Sequence, residues 1–227
     1  MNHTPQKPFS NACLSLLCVA LPILLSACFP SMPDQAIETV PPGTVLFTDD
    51  FANPPSGWGT WSRDGASISY YAGGLRIQVN ETQHDYWSVT GKNFYDVSVE
   101  VDAVKLNGPD DNDFGIVCRY MDAENFYALV ISSDGYYGIA KRVTGVYSMI
   151  GADTLQYSLA IGQGQAVNHL RADCTGSALR LYANGQMLIE AQDTDLAYGD
   201  VGLIAGAYDN QGVDIYFDNF VVKKPSE

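Results

Sequence analysis

Positively charged residues are scarce in this 227-residue sequence. Lys and Arg total 12 against 26 Asp and Glu, so the formal net charge is −14 at pH 7. A chain of this charge repels phosphate backbones and anionic lipid headgroups, which argues against nucleic acid as a partner and against electrostatic docking on a membrane. Neutral ligands and metal cations remain compatible with it, as does the simpler interpretation that acidity keeps an exposed domain soluble.

Histidine is also rare, and the sequence lacks the nearby partner residues that metal binding or catalysis by histidine needs. There are three His residues, and no His or additional Cys stands at zinc-ligand spacing. No Gly-x-Ser-x-Gly elbow is present either. These absences argue against a zinc centre and against a serine hydrolase.

Only one long apolar run occurs, and it ends in a cysteine. Residues 12–27 are mainly apolar, but they are interrupted by Pro22 and are shorter than the ~20 residues that span a bilayer. The run ends in Leu-Ser-Ala-Cys at residues 25–28, which resembles the bacterial lipobox. The resemblance implies a signal peptide over 1–27, a diacylglycerol on Cys28 and a cell-envelope lipoprotein facing outside the cytoplasm. The membrane would then be touched only through the lipid; an ordinary secretory signal with an incidental Cys is the alternative.

Residues 28–43 contain four prolines and show no apolar periodicity, so we interpret them as the lipidated Cys followed by an extended tether. The remaining residues, 44–227, form a segment of roughly 180 residues, which suits one sandwich-type domain. The chain is therefore divided into a leader, a tether and one domain.

The domain shows period-2 alternation of apolar residues rather than a helical period. Examples are residues 75–79, 114–120 and 179–182. Turn signals separate such runs, including Asn184-Gly185, the strongest short hairpin signal. Roughly a dozen strands spaced by 8–12 residues predict an all-β, two-sheet antiparallel sandwich.

Two cysteines remain in the domain once the leader and Cys28 are set aside. Cys118 and Cys174 each share parity with apolar residues in a strand-like run. An even pair in an exported domain favours a disulfide, with two separate buried thiols as the alternative.

The order of short sequence blocks resembles the concanavalin A-like lectin/glucanase superfamily, in particular its laminin-G-like and keto-disaccharide-hydrolase-like jelly rolls. The blocks are Phe-Thr-Asp-Asp-Phe at 47–51, Gly-Trp at 57–58, Phe-Gly-Ile-Val-Cys-Arg-Tyr at 114–120, Leu-Tyr-Ala-Asn-Gly at 181–185 and Phe-Asp-Asn-Phe-Val-Val at 217–222. They cover nearly the whole domain and imply a jelly-roll sandwich. They specify fold better than activity.

An enzymatic site is one implication of this resemblance. Retaining glucanases of the superfamily carry a Glu, an Asp and a second Glu along one strand, and hydrolysis needs two carboxylates. Glu100 and Asp102 match the first two positions, but Lys105 stands where the second Glu is expected. The simpler interpretation is a solvated strand face, and the keto-disaccharide-hydrolase likeness assigns no catalytic residue here.

A saccharide-binding face is the other implication. Aromatic rings stack on sugar rings, while polar groups bond the hydroxyls. The candidate ligand-binding residues are Trp61, Tyr86, Trp87, Arg119, Tyr136 and Tyr137. Arg119 has parity opposite to Cys118 and is expected to face out of the sandwich, whereas Trp58 is expected in the core. Core packing is the alternative for each aromatic residue.

Structural calcium is also implied by the resemblance, at the point where the first and last strands meet. The matching acids are Asp49, Asp50 and Asp218. Ca²⁺ prefers six to eight oxygen ligands, some of them backbone carbonyls that a sequence does not reveal. The alternative is ordinary turn chemistry by Asx side chains.

Three functions follow from these observations. The first is a lipid-anchored, non-catalytic carbohydrate-binding or adhesion module whose partner is a poly- or oligosaccharide. The second is a structural or protein-interaction module of the cell envelope. The third is a glycoside-acting hydrolase.

We predict that Cys28 is acylated, because it follows the apolar run at the lipobox position. Mass spectrometry of membrane-extracted protein should find a lipid-modified Cys28 at the mature N-terminus. A mature chain that starts elsewhere, with Cys28 unmodified or absent, contradicts this prediction.

Overall fold

The structure, a computed structural model, describes residues 40–54 and 56–226, and within these ranges it contains sixteen β-strands and no helix. The nine-stranded sheet comprises β1 (Val45–Asp49), β2 (Trp61–Arg63), β3 (Ala66–Tyr71), β4 (Gly74–Val79), β6 (Val97–Asn107), β12 (Asn168–Thr175), β13 (Ala178–Ala183), β14 (Gln186–Gln192) and β16 (Val213–Lys223). The seven-stranded sheet comprises β5 (His84–Val89), β7 (Asn112–Asp122), β8 (Asn125–Ile131), β9 (Tyr136–Val143), β10 (Val146–Ile150), β11 (Gln156–Tyr157) and β15 (Asp200–Ala207).

All strand pairs are antiparallel, and the chain crosses repeatedly between the sheets. The larger sheet runs β14-β13-β12-β6-β16-β4-β3-β2, with β1 paired to β16. The smaller runs β10-β9-β8-β7-β15-β5, with β11 paired to β9. The predicted two-sheet antiparallel jelly-roll sandwich is confirmed. The strand number exceeds the prediction partly because β2 and β11 are too short to show alternation.

One two-residue hairpin lies where the sequence indicates it. Asn184 and Gly185 join β13 to β14 with φ of 52° and 82°. Positive φ at both central residues is the geometry of the turn that Asn-Gly favours, and its twist matches that of the flanking strands.

The core between the sheets is built from one side of each strand. Trp58 lies in it as expected: its ring packs 5.3 Å from Phe51 and 4.9 Å from Phe220, measured between ring centroids. Its indole Nε1 donates to Asp49 Oδ2 at 2.9 Å, so the buried ring has its polar atom satisfied. The entry segment is thereby fixed against the last strand.

The disulfide between Cys118 and Cys174 is confirmed. It joins β7 of the smaller sheet to β12 of the larger one, with a Cα–Cα distance of 6.9 Å, and both residues are fully buried. The two sheets are therefore covalently connected through the core.

The orientation predicted for Arg119 is wrong. Arg119 has φ of 52°, in the left-handed region, and the β7–β8 pairing shifts register just after Cys118. Its side chain is only 2% exposed, and it donates to the carbonyls of Leu196 (2.8 Å) and Gly176 (2.6 Å). A bulge interrupts the two-residue alternation, so parity counted from Cys118 fails here. The Arg119 side chain therefore connects two loops and does not point out of the sheet face.

Hydrogen bonding to the domain begins at Gly43, whose N–H donates to Lys224 O at 2.9 Å. Cys28 and the signal segment lie outside the described residues. Within those residues no helix has the length and apolar character needed to cross a bilayer.

We predict that breaking the disulfide lowers stability substantially. The bridge spans 56 residues, so a chain-entropy estimate gives a loss of about 4 kcal/mol in the free energy of unfolding. Denaturant titration of Cys118→Ala/Cys174→Ala against the oxidised and the reduced wild-type protein would measure it. The reduced wild type isolates the cross-link from the loss of the sulfur atoms. Equal stability of oxidised and reduced protein contradicts the prediction.

Candidate functional site

The outer face of the seven-stranded sheet is apolar although no second sheet covers it. Strands β7, β8 and β15 are buried almost throughout, on both of their faces. One face packs into the central core. The other carries a separate cluster with Trp87 and Tyr120 packed against it; its buried members are Val117, Phe126, Ala128, Val130 and Ile204.

This face is the inside of a curved sheet. The Trp87 ring on edge strand β5 lies 4.9 Å from the Phe126 ring on β8, three strands away, and Arg142 of β9 lies 6.0 Å from the Trp87 ring. Strands are spaced about 4.8 Å apart, so residues on opposite edges of a flat sheet would be too distant for contact. Nevertheless Asp85 of β5 and Tyr147 of β10 line the same cavity of about 260 Å³. Curvature therefore brings the two edges together over a groove.

Two glycines of the sheet make room for side chains that line this groove. Gly206 lies between Asp85 and Asp113 in the ladder, and Gly138 lies under Met149 and Leu155. A Cβ at Gly138 would come within 2.5 Å of Met149 Cε and 2.8 Å of Leu155 Cδ2. The absence of a side chain at Gly138 and Gly206 therefore allows these neighbouring side chains to lie close to the sheet.

Two carboxylates meet over Gly206. Asp85 on β5 and Asp113 on β7 both pair with this glycine, and a Cβ added there would overlap the Oδ1 atom of each. The two oxygens are therefore neighbours above one backbone position. Asp113 is only 7% exposed, and its Oδ1 has no hydrogen-bond partner among the described residues. A buried polar atom without a partner is costly and points to a ligand or a proton.

Burial and mutual repulsion set the charge of this pair. Burial first, and then the charge of Asp85, raise the pKa of Asp113 well above its ordinary value. Burial also raises the pKa of Asp85, an effect partly offset by the Tyr147 hydroxyl, His84 and Arg142. Of the two acids, Asp85 therefore has the cationic and hydrogen-bonding support for a negative charge.

The groove has apolar walls and a polar extension. The 260 Å³ cavity is lined, besides the two acids, by Ala128, Val130, Ala140, Tyr147, Ser148, Met149, Leu155, Ile204 and Tyr208. A second hollow of about 360 Å³ shares Leu155 and Tyr208 with it and continues past Asp111, Ser132, Asp134, Tyr136 and Thr154. We call the two hollows together the outer-face groove. It offers apolar surface, phenol hydroxyls and carboxylates along one line, and these are the groups with which protein surfaces bind saccharides.

The aromatic residues predicted as ligands divide between two faces. Trp87 lies on the outer face beside the groove, and Tyr136, which is 41% exposed, lines its extension. Tyr86 and Tyr137 are each 8% exposed and belong to the central core. Neighbouring residues in a strand point to opposite faces, so each adjacent pair can place only one member in the groove.

Trp61 lies elsewhere, at the edge of the other sheet. It packs edge-on against Tyr86 with ring centroids 5.4 Å apart, and Arg63 stands 4.8 Å from both rings. This contact joins the edges of the two sheets and does not line the outer-face groove.

The glucanase-like positions form charge pairs on the outer face of the nine-stranded sheet. Glu100 accepts from Lys223 at 2.7 and 2.8 Å, and Asp102 accepts from the His169 ring at 2.8 Å. Lys105 is buried and donates to Gly108 O at 2.9 Å. The carboxylates are thus matched by nearby cations and side chains, as on an ordinary solvated face.

A larger hollow of about 820 Å³ lies on this face, lined by Glu100, Arg171, Asp173, Arg180, Glu190 and Lys223 among others. Its charges form ion pairs, such as Arg180 with Glu190 at 2.7 Å. It contains no buried carboxylate without a partner among the described residues. We therefore place the candidate site in the outer-face groove despite the smaller volume.

The three acids predicted to bind calcium are engaged in local turns. Asp49 accepts from Phe51 N at 2.8 Å as well as from the Trp58 indole, Asp50 accepts from Ala52 N at 3.1 Å, and Asp218 accepts from Asn219 N at 2.7 Å. No group of three or more acidic, His or Cys side chains placed to hold a metal ion occurs in the part of the chain that the structure describes. The three carboxylates do not by themselves fit an ion, and calcium binding stays a prediction.

Sequence reasoning missed Asp85, Asp113, Tyr147 and Tyr208 as members of the site. A signal for Asp113 was present: it stands at the parity opposite to Phe114, Ile116 and Cys118 in β7. That Asp85 and Asp113 meet over Gly206 depends on the order β5-β15-β7, which joins segments far apart in sequence.

The fold is similar to solved structures at low sequence identity. The carbohydrate-binding module CBM66 from Bacillus subtilis matches at 19% identity and a TM-score of 0.60, covering 74% of this chain and 96% of that chain. A B. subtilis protein of unknown function with a galectin-like fold matches at 14% and 0.58 (81% and 97% covered), and a protein described as a native glycosidic hydrolase at 14% and 0.58 (81% and 99%). No known family model matches this chain, and no curated relative does either. The likeness is one of fold.

Proposed function

We propose that this protein is a lipid-anchored saccharide-binding module of the bacterial cell envelope and that the outer-face groove receives a poly- or oligosaccharide. The observation that carries the proposal is the Asp85–Asp113 pair set among apolar and aromatic walls. Carboxyl groups bond sugar hydroxyls, and the C–H faces of a sugar ring pack on apolar side chains. The net charge of −14 is compatible with such a neutral ligand.

The extension of the groove supports a chain rather than a single sugar as ligand. The two hollows meet at Leu155 and Tyr208, and the second ends beside Tyr136. The Tyr136 ring is held edge-on by Tyr157, with centroids 5.6 Å apart, so it is fixed in position while exposed. A rigid exposed ring at the end of a groove is suited to stacking on a second sugar unit.

The likeness in fold to the carbohydrate-binding module CBM66 supports the same function. Anchoring through Cys28 would hold such a module at the membrane with its groove available to glycans outside the cytoplasm.

We predict that Asp85→Asn weakens saccharide binding by roughly 10- to 100-fold. The substitution removes a charged acceptor of hydroxyl hydrogen bonds, and such bonds contribute about 1.5–3 kcal/mol each. A glycan array with the detergent-extracted full-length protein would identify a ligand, and calorimetry would then compare wild type and variant.

The matched control is Met187→Ala, an exposed residue in the larger hollow of the other sheet, which should bind as the wild type does. Unchanged melting temperatures would show that both variants are folded. Equal affinities of Asp85→Asn and wild type, or a loss of binding in Met187→Ala instead, would place the site elsewhere.

Glycoside hydrolysis is the second candidate, and the same carboxyl pair favours it. Hydrolysis uses one protonated and one ionised carboxyl, and the unequal environments of Asp85 and Asp113 separate their pKa values. The fold neighbour described as a native glycosidic hydrolase supports the possibility. Release of reducing sugar from a bound oligosaccharide, abolished in Asp113→Asn, would establish this activity. If prolonged incubation released no reducing sugar from a bound oligosaccharide, the protein would bind saccharides without hydrolysing them.

A further inference from the structure

The Asp85–Asp113 pair is built into the sheet and does not arise from mobile surface groups. Asp113, Gly206 and Asp85 are consecutive partners across β7, β15 and β5. The two Cα atoms are thus two strand spacings apart, roughly 9–10 Å, and the side chains lean toward each other over the glycine. Any residue other than Gly at 206 would force them apart, because a Cβ would overlap both Oδ1 atoms.

Two negative charges at this proximity, one of them buried, are strongly unfavourable. No cation is paired with Asp113, whose Oδ1 has no partner among the described residues. On the other side, Asp85 has the Tyr147 hydroxyl and the guanidinium of Arg142 as support. A single proton on the pair removes the repulsion and leaves one carboxyl able to donate a hydrogen bond.

Other titratable and charged groups around the pair do not replace this proton. Tyr147 and Tyr208 remain neutral, since burial and the nearby acids raise the pKa of both phenols. The groups that face the pair from the neighbouring elements are His84 on β5, Arg142 on β9, Tyr147 on β10, Tyr208 after β15, and Asp111 and Asp134 at the groove extension. His84 is the imidazole among them.

We propose that Asp85 and Asp113 share one proton and present it, as one donor beside carboxylate acceptors, to hydroxyl groups of an uncharged sugar. This inference rests on the proposed function and names its ligand class: neutral glycans bind, and glycans carrying carboxylates are rejected. A sugar hydroxyl both donates and accepts, so a pair that offers both roles can satisfy it. The carboxylate of a uronic acid would bring a further negative charge to an acidic groove and is repelled.

Because the pair must keep its proton, saccharide binding should weaken as pH rises. The burial and repulsion that raise the pKa of Asp113 in the folded protein are absent in the unfolded chain, where its pKa is about 3.9. The stability conferred by the proton is therefore complete below the unfolded value and is lost as pH rises through the folded value. Saccharide affinity should fall as pH rises above the folded value, by about tenfold per pH unit once the proton has dissociated.

The test combines two measurements on the full-length protein in detergent. Carbon-13 NMR of labelled aspartate carboxyls titrates the pair without any sugar. Affinity electrophoresis then compares galactan with polygalacturonate, its uronic acid counterpart, and with xylan, between pH 5 and 8. The variants are Asp113→Asn, which removes the shared proton, and His84→Gln, which removes the neighbouring imidazole. Asp64→Asn in the β2–β3 turn is the control for loss of one exposed negative charge.

We expect one aspartate resonance with a strongly raised midpoint in the wild type, and in Asp113→Asn a return of the remaining partner toward ordinary titration. The melting temperature of Asp113→Asn should exceed that of the wild type by an amount that grows from pH 5 to pH 8. Galactan or xylan should be retained more strongly than polygalacturonate. Retention should weaken with pH in the wild type and in His84→Gln, but not in Asp113→Asn.

The two proposals fail separately. No retention on any neutral glycan, with the raised titration present, overturns the proposed function and with it the role in recognition. Retention of a neutral glycan by a protein whose Asp85 and Asp113 both titrate normally overturns the shared proton alone. Equal retention of galactan and polygalacturonate overturns the preference for neutral sugars, and a pH profile that disappears in His84→Gln assigns the pH dependence to the imidazole.

Discussion

The seven-stranded sheet must bury two faces while it has only one partner sheet, and most features of the molecule depend on this constraint. Its central strands β7, β8 and β15 are almost entirely buried. Curvature solves part of the problem, because it allows Trp87 from one edge to pack against Phe126 and brings Arg142 and Tyr147 over the face. The outer-face groove is the space that these side chains leave unfilled.

The two outer faces of the sandwich differ in whether their acidic side chains have cationic partners. On the nine-stranded sheet, acids such as Glu100 have cations beside them, and the face remains in contact with solvent. On the seven-stranded sheet, Asp113 is buried against another acid, and no cation among the described residues pairs with it. An arrangement that costs stability without an evident structural benefit is typical of functional sites. This difference, rather than cavity size, identifies the face on which to look for a ligand.

Arg119 shows how a local backbone feature can invert an interpretation based on pattern. A single left-handed residue after Cys118 turns a side chain expected at the surface into a buried connector between loops. The same position explains how Tyr120 comes to lie near Phe126 on the outer face, with ring centroids 5.9 Å apart. Bulges of this kind re-aim side chains near sheet ends, where binding groups are often found.

The sequence by itself determined the two-sheet fold, the Asn184-Gly185 hairpin, the pairing of Cys118 with Cys174 and the core position of Trp58, because alternation, turn chemistry and cysteine parity are local properties of the chain. Both members of the Tyr136–Tyr137 pair were candidates from sequence, and strand alternation leaves Tyr136 as the exposed one. Tertiary structure alone decided that Asp85 and Asp113 meet over Gly206 and that Tyr147 reaches them from the opposite edge. Those contacts join strands that are neighbours only in the folded sheet, and the curvature that closes the groove is a property of all seven strands together, which no local pattern encodes.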